Sequence, residues 1–425
     1  MPCLAANRKS PVTEFEVIVV GAGPAGSEAA RASARAGLRT LLVEEHATVG
    51  APSHCTGKLS HHAFREFDLP VTLAQNSVSA AVFHSPGGAS VHVRRATVDS
   101  YVVDRVAFDR WLVTRAADAG AQVLTGVRVT HAAREGGWMV VLGQQRRAPR
   151  AETFEARSRF IIDAEGASPR LPGILGLRLP RRYALGLQYE MRGVGGLAPD
   201  TPETFFGSGV APGFFAWLMP FGGSRARVGL CVDPRRTDRP PVWYLERLLA
   251  THPALRDRVA GAVVERKVAG RIPLLTPRSR TGTEGMIVVG DAAGQVKATS
   301  GGGIYFAMLA GRIAGEVAGR YVAGDGTAAA VYERRWRQRF GREVAFTAFG
   351  RHAINRLSDD ELDLVLRVIA ESPRLRASIE RAGDTQFQSH LFLPLLRGLA
   401  AIGFRRPAVI PLVGRALVHG MLAQV

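Results

Sequence analysis

Val17-Ile18-Val19-Val20-Gly21-Ala22-Gly23-Pro24-Ala25-Gly26 is the stretch that decides the fold. Four β-branched residues run directly into a G-x-G-x-x-G turn. The small residues from Ser27 to Ala36 then predict a helix, and Leu38 to Val43 predict a second strand ending at Glu44. Glycines at these positions permit a tight turn and let backbone N–H groups approach a pyrophosphate at a helix N-terminus. Glu44 lies 18 residues past Gly26, where an acidic side chain can accept hydrogen bonds from ribose hydroxyls. Strand, glycine turn, helix, strand and acid occur in order, so the segment reads as a dinucleotide site on a Rossmann-like α/β domain. Gly21, Gly23, Ala25 and Gly26 should take the pyrophosphate, and Glu44 with Glu45 the ribose end.

Gly285-Met286-Ile287-Val288-Val289-Gly290-Asp291-Ala292-Ala293-Gly294 narrows the dinucleotide. An apolar strand here ends in Gly290-Asp291 at the expected start of a helix. An aspartate there can bind the hydroxyls of a ribityl chain, and the helix N-terminus can face a flavin or its phosphates. Asp291 could instead be a plain helix cap. Paired with the N-terminal turn, it favours FAD over NAD. The two motifs resemble those of flavoproteins with the glutathione-reductase-like fold, as in aromatic hydroxylases and geranylgeranyl reductases.

With 425 residues the chain can bury a large core and form two or three domains. The three cysteines, Cys3, Cys55 and Cys231, make neither a disulfide framework nor a C-x-x-C metal site, so a reducing cytoplasm and no metal are expected. Residues 1–13 lack the apolar region of a signal peptide, and no uncharged apolar window could span a membrane. The net charge is +18, and only four of the 55 basic residues are lysines (Lys9, Lys58, Lys267 and Lys297). Heavy arginine use fits a GC-rich genome. The scarcity of acids leaves attraction to phosphates or anionic lipid open. No aromatic-interleaved basic strand supports nucleic-acid binding.

The pattern predicts a discontinuous FAD domain over 14–75, 96–178 and 280–325. A helix is expected from Phe108 to Ala119, a strand from Gln122 to Val129, a hairpin strand over 136–146 and a buried strand at Phe160-Ile161-Ile162-Asp163. Strand-like segments at 78–95 and 182–272 predict an antiparallel substrate (cap) sheet, with the cap domain over 76–95 and 179–279. Residues 326–425 read as a helical C-terminal region. Its tail, 391–425, carries Arg397, Arg405, Arg406 and Arg415 among apolar runs and no acids. Such a tail can lie in a membrane interface, or pack on the body with its arginines outward.

Four further segments point to one family: Gly50-Ala51-Pro52-Ser53-His54-Cys55-Thr56-Gly57; Asp104-Arg105 with Phe108-Asp109 and Leu112; Pro212-Gly213-Phe214-Phe215-Ala216-Trp217-Leu218-Met219-Pro220; and Thr299-Ser300-Gly301-Gly302-Gly303-Ile304-Tyr305. Over roughly residues 14–320 they resemble the geranylgeranyl reductase family of FAD enzymes, which saturate isoprenoid double bonds. The family's middle motif carries Tyr and Phe where this chain has Phe215 and Met219. Its usual Ala-Asp-Gly segment is Ala164-Glu165-Gly166 here.

The resemblance implies a site. Arg105 would stand near the phosphates or ribityl chain, and Asp291 would take the ribityl or phosphate side. Val127, Glu165, Gly166 and Gly290 would complete the cofactor set. Gly301, Gly302, Gly303 and Ile304 would bring backbone against the isoalloxazine. Phe215 and Trp217 alternate with Met219 at strand spacing, which suits either a prenyl tunnel or plain sheet core. Cys55, close to flavin and substrate, would position the alkene or help deliver a proton. His54 could lower the thiol pKa if it points inward. Without a second G-x-G-x-x-G, electrons would come from transient NAD(P)H, from ferredoxin, another flavoprotein or quinol. The implied activity is saturation of the C=C bonds of an isoprenoid (geranylgeranyl-type) chain on a lipid, quinone or chlorophyll-type precursor, in the cytoplasm or peripherally at the inner membrane face. The alternative is an FAD-dependent monooxygenase hydroxylating an aromatic or polyketide.

Overall fold

The computed structural model describes residues 13–147, 150–179, 182–274, 279–391, 394, 395, 397 and 398. Cys3 and most of the basic tail, including Arg405, Arg406 and Arg415, lie outside the described residues.

Val17, Ile18 and Val19 have no exposed surface. An apolar run of that kind fits a parallel strand covered on both faces. Strand Thr13–Val20 is such a strand, between Thr40–Glu44 on one side and Arg150–Asp163 on the other, both parallel to it. Val20 is level with Val43 and Asp163, so all three strands end at one edge. Met286–Val288 and Gln122–Thr125 extend the sheet outward, again in parallel. An antiparallel hairpin, Val127–Glu135 with Trp138–Arg147, branches from the long strand Arg150–Asp163.

Helices Pro24–Arg35 and Ile304–Val322 pack on one face of this sheet. They touch backbone to backbone. A Cβ on Gly311 would collide with the Ala25 carbonyl, and one on Gly315 with the Ala29 carbonyl. That contact holds the N-termini of both helices at the carboxyl ends of the strands.

The second sheet has seven strands, in the order Val263–Pro273, Tyr183–Arg192, Arg225–Val232, Ala216–Pro220, Glu203–Phe205, Ala80–His84 and Ser90–Arg94. All neighbours are antiparallel except Glu203–Phe205 with Ala80–His84. Its outer face buries Phe205, Leu218, Val228 and Leu230 against Tyr244, Leu245 and Leu248 of helix Pro241–Thr251. Its inner face carries Gly186, Gln188, Glu190, Trp217, Arg227, Gly229 and Cys231, brought level by register.

A three-stranded sheet, Lys58–Ser60, Ser100–Val103 and Ala74–Val78, lies between the two. The sequence pattern did not anticipate it, and the expected domain division at 75/76 falls inside its last strand. Past residue 326, Tyr332 donates to the Val288 carbonyl and Trp336 to Thr281 Oγ1, clamping the first C-terminal helix against the central sheet. Helices Asp359–Glu371 and Pro373–Ala382 cover Val91 of the cap edge with Leu366, Ile369 and Leu375.

Several local expectations need correction. The first helix begins at Pro24, three residues early, because proline at the first turn loses no helical hydrogen bond. The strand expected over Gln122–Val129 breaks at Gly126, whose φ of 73° turns the chain from one partner strand to another. No long helix starts at Asp291. Gly290–Ala293 is a single 3-10 turn, stopped by Gly294 in the left-handed region, and the helix begins only at Ile304. Within 182–272, helices Pro241–Thr251 and Arg256–Val259 interrupt the strands.

Candidate functional site

The glycine turn divides its three glycines by role. A side chain on Gly21 (φ 101°) would run into the Ala164 carbonyl, and one on Gly26 into Gly21 itself. A Cβ on Gly23 would meet nothing within 4 Å. Gly21 and Gly26 therefore serve the turn, while Gly23 leaves an open cradle. Helix Pro24–Arg35, 12 residues long, has no side chain capping its N-terminus. Its free N–H groups and dipole favour an anion there. Ala25 packs under Gly290, where an added Cβ would come within 2.9 Å of it.

Glu44 is buried at the end of its strand. Its Oε2 accepts the Ala22 N–H at 2.8 Å and its Oε1 the His46 N–H at 3.0 Å, so the carboxylate is fixed beside the turn with lone pairs to spare. Glu45 points outward to Arg128 at 3.1 Å. The Val127 side chain belongs to the core with Val43 and Val129, which leaves only its main chain for a ligand.

Arg105 and Asp291 stand where the two halves of the site meet. Asp104 caps the helix Arg105–Asp118 by accepting from Val106 N at 2.8 Å and Ala107 N at 3.1 Å. One turn on, Asp109 holds Arg105 with two bonds of 3.0 and 2.7 Å. Burial opposes the Arg105 charge, but Asp109 and the Cys55 thiol outweigh it, and the guanidinium pKa is raised. Burial raises the Asp291 pKa against the opposing pull of Arg105. The Asp291 carboxylate makes no hydrogen bond to the protein among the described residues.

Gly301, Gly302 and Gly303 lead into the 19-residue helix Ile304–Val322, which also lacks a side-chain cap. Asp291 Oδ1 lies 3.0 Å from where a Gly303 Cβ would stand, and the Ile272 side chain of the cap sheet lies 2.6 Å from a Gly301 Cβ. The inner face of the cap sheet therefore closes on the triple glycine. FAD fits these residues: an open cradle at Gly23, two uncapped helix N-termini, Glu44 at one end, and an unpartnered carboxylate beside a guanidinium in the middle.

Glu165 does something else with its carboxylate. Its Oε2 accepts from Arg170 N and Leu171 N, at 2.8 and 2.9 Å, capping the short helix Leu171–Ile174. Gly166 beside it has open space where a side chain would go. The buried acid of this segment is Asp163, which the sequence did not single out. Burial and the nearby Glu165 push its pKa well above the usual carboxylate range.

Cys55 sits half-buried in its loop and accepts the Gly57 N–H at 3.3 Å. His54 packs on strand Val263–Pro273, with its Cβ near Gly270. Burial lowers its pKa, so it stays neutral at pH 7 and gives Cys55 no positive neighbour. The cation beside the thiol is Arg105.

The cap sheet grips this loop through polar side chains. Thr56 Oγ1 and Trp217 Nε1 both donate to Gln188 Oε1, at 3.1 and 3.2 Å. Arg227 donates to the Thr56 carbonyl at 2.7 Å and to Glu190 at 2.9 Å, and Arg266 joins Glu190 at 2.6 Å. Burial works against the Glu190 charge, but Arg266 and Arg227 outweigh it and lower its pKa. Gln188, Glu190, Arg227 and Arg266 escaped the sequence reading. For Gln188, Glu190 and Arg227 the available signal was a charged or amide residue within a largely apolar strand; Arg266, in the mostly exposed strand Val263–Pro273, gave none.

Trp217 lies over Gly229, where a Cβ would come within 2.6 Å of the indole. Phe215, just before the strand, stacks on Phe214 at 4.9 Å and meets Trp217 at 6.1 Å. Met219 is buried against Val78, Val102 and Phe221, with Trp217 at the edge of the cluster.

Comparison with known proteins agrees with this geometry. Residues 16–168 match the model of the FAD dependent oxidoreductase family, and residues 183–270 that of the geranylgeranyl reductase catalytic domain. A digeranylgeranylglycerophospholipid reductase of Methanocaldococcus jannaschii is 35% identical, over 84% of this chain and 91% of that protein. The digeranylgeranylglycerophospholipid reductase 2 of Methanopyrus kandleri is 33% identical, over 85% and 92%. Among solved structures, a geranylgeranyl bacteriochlorophyll reductase-like protein from Thermoplasma acidophilum superposes with a TM-score of 0.82 at 25% identity, covering 95% of this chain and 100% of that one. A myxobacterial FAD-dependent halogenase superposes at 0.66 with 20% identity, over 90% of this chain and 97% of its own, and shares the fold.

Proposed function

This chain belongs to the geranylgeranyl reductase family of FAD-dependent oxidoreductases, and from that premise we propose that its substrate is a membrane phospholipid carrying geranylgeranyl chains, which enter between the Cys55 loop and the inner face of the cap sheet. It is an FAD-dependent reductase of isoprenoid C=C bonds. The observation that carries the substrate placement is the Thr56–Gln188–Trp217 hydrogen-bond chain. It joins the Cys55 loop, the aromatic strand and a sheet whose edge closes on the triple glycine, so an alkene lying there faces all three. The relatives named for digeranylgeranylglycerophospholipid support the lipid class.

When bound, FAD supplies a hydride equivalent to the alkene. The residues proposed to hold it are Gly23 and the amides of Pro24–Arg35 at the pyrophosphate, Glu44 at the ribose, and Arg105 with Asp291 between them. The amides at Gly303 and Ile304 would face developing negative charge. Phe215 and Trp217 supply apolar surface that excludes water, and Gln188 fixes the indole by accepting its N–H. Cys55 lies against the alkene and orients it, with Arg105 holding the thiol in place. On this reading 14–75, 96–178 and 280–325 bind cofactor, and 76–95 with 179–279 cover the substrate.

For the electron donor, the +18 net charge suits an anionic donor, either an acidic ferredoxin or NAD(P)H. No helix of the described residues is long and apolar enough to cross a membrane. A peripheral contact would let a lipid substrate reach the site, and the basic tail beyond residue 391 is the segment proposed to make it.

The test reduces the purified holoprotein with dithionite under argon, adds digeranylgeranyl phospholipid in detergent and follows products by mass spectrometry. Gains of two mass units per step are expected. Unchanged prenyl chains in the presence of normally reducing flavin would overturn the proposal, and oxygen-dependent turnover of aromatic compounds would then identify a monooxygenase.

A further inference from the structure

The chain uses lysine four times against 51 arginines. Two of the four, Lys58 and Lys297, converge on one residue inside the protein. Lys297 Nζ donates to the Thr385 carbonyl, and Lys58 Nζ donates to Thr385 Oγ1 at 3.0 Å. Lys297 is 3% exposed, whereas the Lys58 side chain keeps 29% of its surface in solvent. Lys297 also lies under the triple glycine, with Cε 3.1 Å and Nζ 3.4 Å from where a Gly302 Cβ would stand. Gly302 thus admits the ammonium to the backbone proposed to face the flavin.

Accepting the reductase reading, we propose that Lys297 is the general acid that protonates the substrate carbon. Saturating an alkene needs a hydride on one carbon and a proton on the other. The hydride equivalent, with both electrons, comes from the reduced cofactor, which ends oxidised. The π pair forms the new C–H bond to the Lys297 proton, leaving a neutral amine that regains a proton from water between turnovers. Arginine cannot serve, because its guanidinium does not deprotonate in proteins. That requirement explains why lysine persists at position 297 in an arginine-rich chain.

The surroundings suit the role. No carboxylate lies within ion-pair distance of Lys297 Nζ among the described residues. Burial lowers its pKa to about 8, the neighbouring Lys58 pushes it the same way, and the more distant Glu343, Asp384 and Asp99 act in opposition. Those three acids are engaged elsewhere. Glu343 accepts from Gln388 N and Ser389 N, Asp384 holds His62 at 2.8 Å and the amides of Gln386 and Phe387, and Asp99 binds Thr385 and faces Lys58 at 3.9 Å. An acid with a pKa near the working pH transfers protons most effectively.

The experiment uses holoprotein grown with [13Cε]-lysine, in which four lysines give at most four side-chain signals, assigned with Lys297→Arg. Single-turnover saturation of geranylgeranyl phospholipid by dithionite-reduced wild type and Lys297→Arg is then followed across pH 6–10. Lys297 should titrate near pH 8. The wild-type rate should be full below that pH and fall above it, because the acid form is the one consumed. Lys297→Arg should keep its flavin absorbance, lose about 100-fold in rate and lose the limb near pH 8. A Lys297 signal titrating at the ordinary lysine value of about 10.4, or a Lys297→Arg protein with wild-type rate and pH profile, would overturn the proposal. Should Lys297→Arg fail to fold, the Lys297 signal is assigned by elimination with Lys9→Arg, Lys58→Arg and Lys267→Arg, and the wild-type titration and pH profile decide the matter. If wild-type protein leaves the prenyl chains unchanged, the reductase reading fails, and the lysine titration still reports on Lys297 separately.

Discussion

Arg227 Nη1 donates to the carbonyl of Thr56 at 2.7 Å, fastening the inner face of the cap sheet to the loop that carries Cys55. The same guanidinium bonds Glu190, which also holds Arg266. The position of Cys55 is therefore set by a strand more than 170 residues away in sequence.

Glu190→Gln should destabilise the protein by about 3 kcal/mol, since it leaves two arginines short of their counter-charge in a buried network. Thermal unfolding of the apoprotein measures it. The folded-state pKa of Glu190 is lowered, so its contribution is present above the unfolded carboxylate value of about 4.3 and is lost as pH falls through the folded one. Wild type should lose stability in that acid window more steeply than Glu190→Gln. Parallel pH–stability curves would contradict the network's role.

Gly23→Ala should fold and yet bind FAD at least about ten-fold more weakly, a loss of about 1.4 kcal/mol. Its methyl meets no protein atom within 4 Å and enters only the cofactor's space. Titrating apoprotein with FAD gives the affinity, and an unchanged apoprotein melting curve separates this effect from misfolding.

Gly311→Ala should cost about 3 kcal/mol, at the upper end for overpacking, because its Cβ would collide with the Ala25 backbone and force the two cofactor-facing helices apart. Chemical denaturation should show the loss, with weakened FAD binding alongside.

Cys55→Ala should retain FAD and lower kcat, or change how many double bonds are saturated. Its Sγ takes one N–H, from Gly57, and sits beside Arg105, which Asp109 continues to hold. Flavin absorbance and the mass distribution of partly reduced products provide the readout. Loss of FAD from this variant would show Cys55 to be part of the cofactor cradle.

Local patterns carried much of this in the sequence. Val17 to Gly26 with Glu44 specified a strand, turn, helix and acid whose chemistry is set within about 30 residues by backbone sterics and helix-end electrostatics. The Gly290-Asp291 segment and the triple glycine were readable as a candidate flavin side for the same local reason, although the helix there starts at Ile304 and not at Asp291. The helix cap made by Glu165 was not legible, because a carboxylate in a glycine turn can face a ligand or cap the next helix, and only the folded geometry shows the cap.

What only the tertiary structure decided were pairings between distant segments. Gln188 and Thr56 are 132 residues apart, and Lys58 and Thr385 are 327 apart. No periodicity records such contacts, because strand register and sheet closure bring these side chains together after the local elements have formed. The sequence by itself determined the cofactor class and the chemistry of the family. The tertiary structure decided which cation stands beside Cys55, which acid is buried, and where the two inner lysines meet, since burial and desolvation exist only once separate elements are packed.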